Sequence, residues 1–354
     1  MSVFSNRNFD QHENVVFHEC RASGLKAIIA IHDSRLGPAM GGCRMFPYSS
    51  DEAAINDVLR LSQGMTYKNA LAGLAIGGGK AVIIGNPREA TAATWGAMGD
   101  FVQSLSGRYI TAEDSGTSVS AMQLIAQRTP YVTGVSSTQA HQGDPSPSTA
   151  KGVYFAMKES VRVRYGQNHL SGLTVGIQGF GNVGRHLCKL LIEAGVSVFG
   201  ADPNQDNADS ARALGAKIVD PGLLMTLPMD VFAPCAMGAI LNSDTVAKLQ
   251  TGLVCGAANN QLATPDVELE LMKREILYAP DFAVNSGGII DAFSQYSPTA
   301  NINVEQQIAE ISNTLAAVFD YANANGVTAG SAAVKLAKLR VENGLTPEKS
   351  LLSA

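Results

Sequence analysis

Two lysines, a pair of acids and a pair of amides stand where side chains of their kind could do acid–base work on a small molecule. Ser49 and Glu52 have capping-box spacing and open a helical pattern whose apolar stripe runs Ala54, Val58, Leu61, Met65. Lys68 takes the next place in that stripe, ahead of Ala72, so its ammonium points inward, where a charge needs an anion or a task. A helix-end lysine reaching out to water is the plainer reading. Lys80 follows Gly77-Gly78-Gly79 at the head of the apolar strand Ala81–Ile84. This is no phosphate-binding loop, because Leu74 and Ala81 stand where one needs Gly and Ser or Thr. Glycines there would let a substrate or cofactor ring approach the backbone; alternatively Lys80 marks only a strand edge. Two lysines in one desolvated pocket would lower each other's proton affinity, leaving one to hold a carboxylate and the other to act as a base.

The strand Tyr109–Thr111 runs on through Ala112 into Glu113 and Asp114, which places carboxylates at a strand's C-terminal end, where α/β sheets hold ligands. A helix cap or solvated loop is the alternative. Asn259 and Asn260, after the strand Leu253–Ala258, take the corresponding place in a second sheet and could equally cap the next helix. The most specific motif follows the strand Leu173–Gln178: Gly179-Phe180-Gly181-Asn182-Val183-Gly184, an amphipathic run to Ala194, and a second strand ending at Asp202, 18 residues after the last glycine. That context marks a dinucleotide fingerprint. Gly179 allows the tight turn, Gly181 lets the backbone approach a pyrophosphate, and Gly184 permits close helix–strand packing. Free N–H groups at the helix start then face the phosphates. Asp202 would accept from the adenosine ribose hydroxyls and repel a 2′-phosphate, so NAD is expected over NADP.

These groups need a frame of alternating strands and helices. The chain has 354 residues, 45% hydrophobic and 16% charged, with a net charge of −5, which suits two packed domains. Mild acidity and 6% aromatic content argue against nucleic acid. No apolar stretch reaches the roughly 18 residues of a membrane span, and the polar start lacks a secretory signal. Five cysteines, an odd count with no Cys-x-x-Cys pair, read as free thiols of a cytoplasmic protein, and the six histidines show no metal-ligand spacing. Short β-branched runs such as Ala27–Ile31 and Val196–Phe199 alternate with helical patterns, an α/β architecture with largely parallel sheets. The boundary is expected in His141–Ser148, too rich in Pro, Gly, Asp and Ser for a helix, with a helix beginning near Ser148 or Thr149.

With these motifs in hand, the chain resembles the glutamate/leucine/phenylalanine/valine dehydrogenases, most closely those acting on leucine and other branched-chain amino acids. Leu36–Gly42, Gly64–Ala70, Gly77–Lys80, Tyr109–Asp114, Asp144–Thr149, the fingerprint, Ala233–Ala236, Ala257–Leu262, Ala279–Asp281 and Asn285–Gly288 carry the resemblance in family order over nearly the whole chain. It implies an α/β fold of two domains separated by a cleft: residues 1–140, completed by C-terminal helices near 330–354, for substrate and oligomerisation, and 141–330 as a Rossmann-type NAD domain. It implies reversible NAD-dependent oxidative deamination of an L-amino acid to a 2-oxo acid and ammonia, by a homo-oligomer, dimer or octamer. Lys68 would bind the substrate carboxylate, Lys80 activate the water that attacks the imine, and Asp114 move protons at the nitrogen. Asn260 would orient the substrate beside the Gly41–Gly42 backbone, with Met65 and Ala112 also in contact. Thr149 would lie near the nicotinamide carboxamide, with Cys235, Ala236 and Asn260 on the cofactor. Met40, Ile289 and Ala292 depart from the Leu, Val and Val that leucine enzymes favour there; Leu, Val or Ile remains the expected substrate, and the altered pocket makes Phe or Trp the alternative. A non-catalytic NAD(H) sensor on the same fold is the remaining one.

Overall fold

The computed structural model describes residues 3–135, 144–236, 238–297 and 302–345. They form two compact units. The first is Met1–Asp144 with Ala292–Ile302 and Ala337–Pro347; the second includes Pro145–Asp291 and Asn303–Leu336.

The first unit is built on a five-stranded sheet, order β1-β2-β4-β3-β5, from β1 (Asn14–Cys20), β2 (Leu25–Asp33), β3 (Ala39–Phe46), β4 (Gly77–Ile84) and β5 (Tyr109–Glu113). The sheet is mixed: β2 runs antiparallel to β1 and β4, while β3 is parallel to β4 and β5. Because side chains alternate along a strand, the continuous apolar run of β2 feeds two cores. Ile28 and Ala30 join Val82 under Ala54, Val58 and Leu59 of helix Asp51–Leu71; Ile29 and Ile31 join Ala81, Ile83, Trp95, Met98, Phe101 and Met122 on the other side. β1 and β3 carry no sequence signal as clear as that of β2.

Helix Asp51–Leu71 corrects two expectations. Its cap is Ser50, whose hydroxyl accepts from the Ala53 amide at 3.1 Å, rather than Ser49. Its buried face carries polar groups: Ser62, Thr66 and Asn69 are buried, whereas Leu61, Met65 and Lys68 lie half-buried on its flank. The reason is β4. That strand begins at Gly77, not Ala81, so the three glycines are strand rather than turn. A Cβ on Gly78 would stand 2.1 Å from both N and Oγ1 of Thr66, and one on Gly79 would stand 2.8 Å from the Tyr109 ring. These glycines therefore receive a helix and a tyrosine, not the ligand ring foreseen for them. Asn69 donates to the Gly77 carbonyl at 2.7 Å and the Met40 carbonyl at 3.3 Å; Thr66 meets His32 Nδ1 at 2.8 Å. Arg340 donates to the carbonyls of Ala70 and Leu71 at 3.0 and 2.6 Å, closing the helix end.

The second unit is a six-stranded, wholly parallel sheet, order β11-β10-β9-β6-β7-β8. Its strands are β6 (Thr174–Gln178), β7 (Ser197–Ala201), β8 (Lys217–Ile218), β9 (Val231–Pro234), β10 (Leu253–Val254) and β11 (Leu277–Tyr278). Counted within the unit the order is 6-5-4-1-2-3, the doubly wound dinucleotide-binding arrangement, with its switch point between β6 and β9. Helix Ser146–Tyr165 begins earlier than expected, because Pro147 sits in the first turn, where its missing N–H is no loss; residues 141–143 of the expected boundary lie outside the described residues. Among the described residues no helix is long and apolar enough to cross a membrane.

The packing predicts opposite signs for two alanines. Gly78→Ala should destabilise by roughly 1–3 kcal/mol through overpacking against Thr66. Gly64→Ala, where a methyl meets nothing within 4 Å on the same helix, should stabilise by roughly 0.5–1 kcal/mol. Urea unfolding midpoints of the two variants decide it.

Candidate active site

In the first unit the structure brings Lys80, Asp114 and Gly42 together. Lys80 is 6% exposed on β4, and its Nζ lies 2.5 Å from Oδ2 of Asp114, just beyond the end of β5. A Cβ on Gly42 would stand 2.6 Å from Asp114 Cβ and 3.2 Å from Lys80 Nζ, so the bare backbone there admits the pair. Thr117 shapes the turn: its hydroxyl accepts from the Asp114 amide at 2.9 Å and contacts the Cys43 carbonyl at 3.0 Å. Lys80 is thus paired with a carboxylate. Burial works to raise the Asp114 carboxyl, but Lys80 and then Arg44 outweigh it and hold it down to about 2. Glu113 is pushed the other way, by burial first and then by Asp144 and Asp114. The two adjacent acids are therefore driven apart, one a firm anion and the other readier to take a proton.

The neighbouring backbone is fixed tightly. Gly41 and Gly42 pair with Thr111 and Ala112 of β5, and the Tyr109 hydroxyl donates to the Gly41 carbonyl at 2.7 Å. A Cβ on Gly41 would meet the Gly79 carbonyl at 1.9 Å and Met65 Cγ at 3.2 Å, so Met65 flanks this loop from the helix that carries Lys68. Met40 is fully buried on β3. Ala292 is held through its carbonyl, which accepts from the Thr133 hydroxyl at 2.7 Å. Sequence reasoning passed over Arg44, Asp57 and Tyr109. Arg44 was findable, since it follows Gly42 by two and strand alternation puts both on one side of β3; Asp57 and Tyr109 carry no such signal.

In the second unit the fingerprint sits at the switch point. Gly179 has φ +94°, and a Cβ on it would stand 2.5 Å from Cβ of Ala236, just past β9. A Cβ on Gly184 would stand 2.0 Å from the Gly179 carbonyl and 3.5 Å from Cys235 Cβ. Gly181, by contrast, has nothing within 4 Å of its missing Cβ. The turn, the open approach and the tight packing thus fall on Gly179, Gly181 and Gly184 in the order the fingerprint requires. Helix Asn182–Glu193 starts there with Gly181 as its cap, leaving Asn182, Val183 and Gly184 in its first turn. The amides do not all face a ligand, however. Phe180, fully buried, donates its N–H to Asp202 Oδ2 at 2.7 Å, and Gly179 donates to the Ala201 carbonyl. Asp202 also accepts from the Asn204 amide at 2.8 Å and Asn207 Nδ2 at 3.3 Å. With about four lone-pair sites on a carboxylate, it retains capacity for a ribose hydroxyl, and these residues fit a dinucleotide.

Thr149 lies in the first turn of helix Ser146–Tyr165, where its hydroxyl donates to the Pro145 carbonyl at 3.0 Å and faces Gly288. Gly287 and Gly288 open helix Gly287–Tyr296, which carries Ile289, and allow it to abut Ser148 and Thr149. Asn260 caps no helix. It adopts φ +52°, its carbonyl accepts from the Ala239 amide at 2.6 Å, and its own amide donates to Asp281. Asn259 accepts from Asn285 Nδ2 at 2.8 Å. Among the described residues no cluster of His, Cys, Asp or Glu could hold a metal ion.

Comparison with known proteins agrees with this geometry. The Glu/Leu/Phe/Val dehydrogenase dimerisation domain matches residues 12–131, and the glutamate/leucine/phenylalanine/valine dehydrogenase domain matches 204–343. The NAD-binding domain of D-isomer specific 2-hydroxyacid dehydrogenases matches 149–231. Leucine dehydrogenase of Geobacillus stearothermophilus is 43% identical over 97% of this chain and 94% of its own. Valine dehydrogenase of Streptomyces virginiae is 43% identical over 94% of each. The crystal structure of L-tryptophan dehydrogenase from Nostoc punctiforme superposes with a TM-score of 0.82 at 42% identity, covering 94% of this chain and 96% of that one. The chain belongs to the glutamate/leucine/phenylalanine/valine dehydrogenase family and is an NAD-dependent amino-acid dehydrogenase.

Proposed function

We propose that this enzyme deaminates branched-chain L-amino acids, Leu, Val and Ile, with the proton chemistry on Lys80 and Asp114. The observation that carries the assignment is the buried Lys80–Asp114 pair at 2.5 Å beside a glycine backbone. NAD held by the fingerprint loop would supply hydride-transfer chemistry at the substrate α-carbon. The chain's own residues do the rest. Lys68 holds the substrate carboxylate from its half-buried helix flank. Lys80 Nζ takes a proton from the water that adds to the imine carbon, and Asp114, a carboxylate beside it, relays that proton to the nitrogen, which leaves as ammonia. The Gly41–Gly42 backbone, Met65 and Ala112 line the substrate's approach to this pair. Asn260, held in its left-handed conformation, orients the substrate, and Thr149 meets the carboxamide end of NAD. The fingerprint glycines, Phe180, Asn182, Val183, Cys235 and Ala236 carry the dinucleotide, with Asp202 on the ribose.

Met40, Ile289 and Ala292 tune the side-chain preference; differences of a methylene are worth only about 1–3 kcal/mol, so neighbouring substrates overlap. An aromatic L-amino acid is the second reading, motivated by the equally similar tryptophan enzyme. The same reading makes the protein a cytoplasmic homo-oligomer of branched-chain amino-acid catabolism, its scattered cysteines suiting a reducing compartment.

Initial NADH formation over Leu, Val, Ile, Phe, Trp, Glu and Ala at mildly alkaline pH tests the substrate. Highest kcat/KM on an aliphatic branched chain is expected, and an aromatic optimum would overturn that choice. Lys80→Ala should lower kcat by at least about 100-fold, the general-base contribution, while NAD binding followed by calorimetry stays within twofold. Appreciable turnover in that variant would remove Lys80 from the chemistry. Asp202→Ser should narrow the preference for NAD over NADP by about tenfold or more in kcat/KM, since it removes the charge that repels a 2′-phosphate; an unchanged ratio would assign Asp202 to bracing the loop alone.

A further inference from the structure

The Lys80–Asp114 pair has a third charged member. Arg44 Nε stands 3.3 Å from Asp114 Oδ2, the same oxygen that Lys80 meets at 2.5 Å. From its other end Arg44 Nη1 donates to Asp57 Oδ2 at 2.9 Å. Asp57 also accepts from the Tyr48 hydroxyl at 2.7 Å and from Arg60 Nη2 at 2.9 Å, so helix Asp51–Leu71 anchors the guanidinium from behind. Arg44 grips Asp114 by charge and not by an aligned hydrogen bond: its Nε and the Asp114 Oδ2 are both buried without a properly aimed partner.

We propose that Arg44 is the positioning residue of the proton-transfer step: its guanidinium, tied back by Asp57, keeps Asp114 a carboxylate facing Lys80 through the stage at which Lys80 has given up its proton. This inference rests on the proposed roles of Lys80 and Asp114. A buried carboxylate whose one cationic partner must itself deprotonate would lose its compensating charge mid-cycle and capture the proton it should pass on. A guanidinium does not deprotonate in proteins, so its charge is constant across the cycle. The other groups around Asp114 do not supply that constancy. Glu113, one residue back, adds negative charge. The Cys43 thiol on β3 is pushed up to about 12, chiefly by burial, and stays neutral; burial also raises the Tyr109 hydroxyl on β5. Asp57, Arg60 and Tyr48 act through Arg44 itself. Consistent with this, Arg44 follows Lys80 among the charges that hold the Asp114 carboxyl low.

The test compares Arg44→Gln, which removes the charge, with Arg44→Lys, which keeps it without the fork. The infrared carbonyl band that disappears in Asp114→Asn reports Asp114 protonation directly. It is titrated in each variant beside the pH profile of amino-acid oxidation. In Arg44→Gln the band midpoint should rise by about one pH unit or more. The acid limb of kcat/KM should move the same way, with KM for NAD unchanged, and Arg44→Lys should recover most of both shifts. A lower kcat with an unmoved midpoint and profile would make Arg44 merely structural and overturn the proposal. Should Arg44→Gln fail to fold, Arg44→Met, which removes the charge but fills the space, should raise the midpoint likewise, and no shift overturns the proposal equally. A wild type that oxidises no amino acid sinks the functional reading, whereas an unmoved band in an active enzyme sinks only the role of Arg44.

Discussion

A carboxylate and an ammonium taken out of water together are the constraint around which the first unit is arranged. Removing two such charges from water costs several kcal/mol each, and mutual attraction offsets this only where the approach is close and other charges support it. Lys80 and Asp114 reach 2.5 Å because β3 has no side chain at Gly42 to hold them apart. The parallel pairing of β3 with both β4 and β5 carries the lysine and the aspartate in on either side of that glycine. Apolar residues of similar volume would pack there at least as stably. The pair is therefore better explained by proton chemistry than by the fold's need for stability.

The same economy of volume explains the glycines of β4. Gly78 and Gly79 accept Thr66 and the Tyr109 ring against the strand, which brings helix Asp51–Leu71 close enough for Asn69 to bond to strand carbonyls. The helix can then bury polar side chains on its inner face because each finds a partner there: Ser62 with His12, Thr66 with His32. Lys68 is displaced to the flank as a direct result. A half-buried flank suits the carboxylate-binding role proposed for Lys68 better than the core position suggested by its spacing.

What was legible in the residues divides along physical lines. The dinucleotide unit was readable because its motif is local: the glycines, the strand before them, the helix after them and Asp202 lie within one βαβ stretch whose chemistry fixes their spacing. Asp114 was likewise readable as an acid at a strand end, and Lys80 as a lysine ahead of an apolar run, although β4 already begins at Gly77. The helix stripe misled because apolar periodicity presumes an apolar partner, and β4 offers a glycine face that prefers small polar side chains. Ser49 was taken for the cap because adjacent serines differ only in backbone conformation, and Ser50 is the one in extended geometry, φ −161°. Arg44 escaped notice because its partners, Asp57 and Asp114, are 13 and 70 positions away and come together only through tertiary packing.

Asp202 shows how one side chain serves structure and selectivity together. By accepting from the Phe180 amide it ties the end of β7 to the loop after β6, and the buried Phe180 ring packs so near Gly200 that a Cβ there would stand 2.6 Å from its edge. The brace fixes the loop before any cofactor arrives, which reduces the ordering cost of binding. It also keeps the carboxylate in place, so that in the proposed binding mode a ribose hydroxyl finds an acceptor and a 2′-phosphate finds a charge of its own sign. On the role proposed for Asp202, cofactor preference does not depend on a side chain that is idle until NAD binds: the bonds that hold the turn in shape would also aim the charge that selects the cofactor.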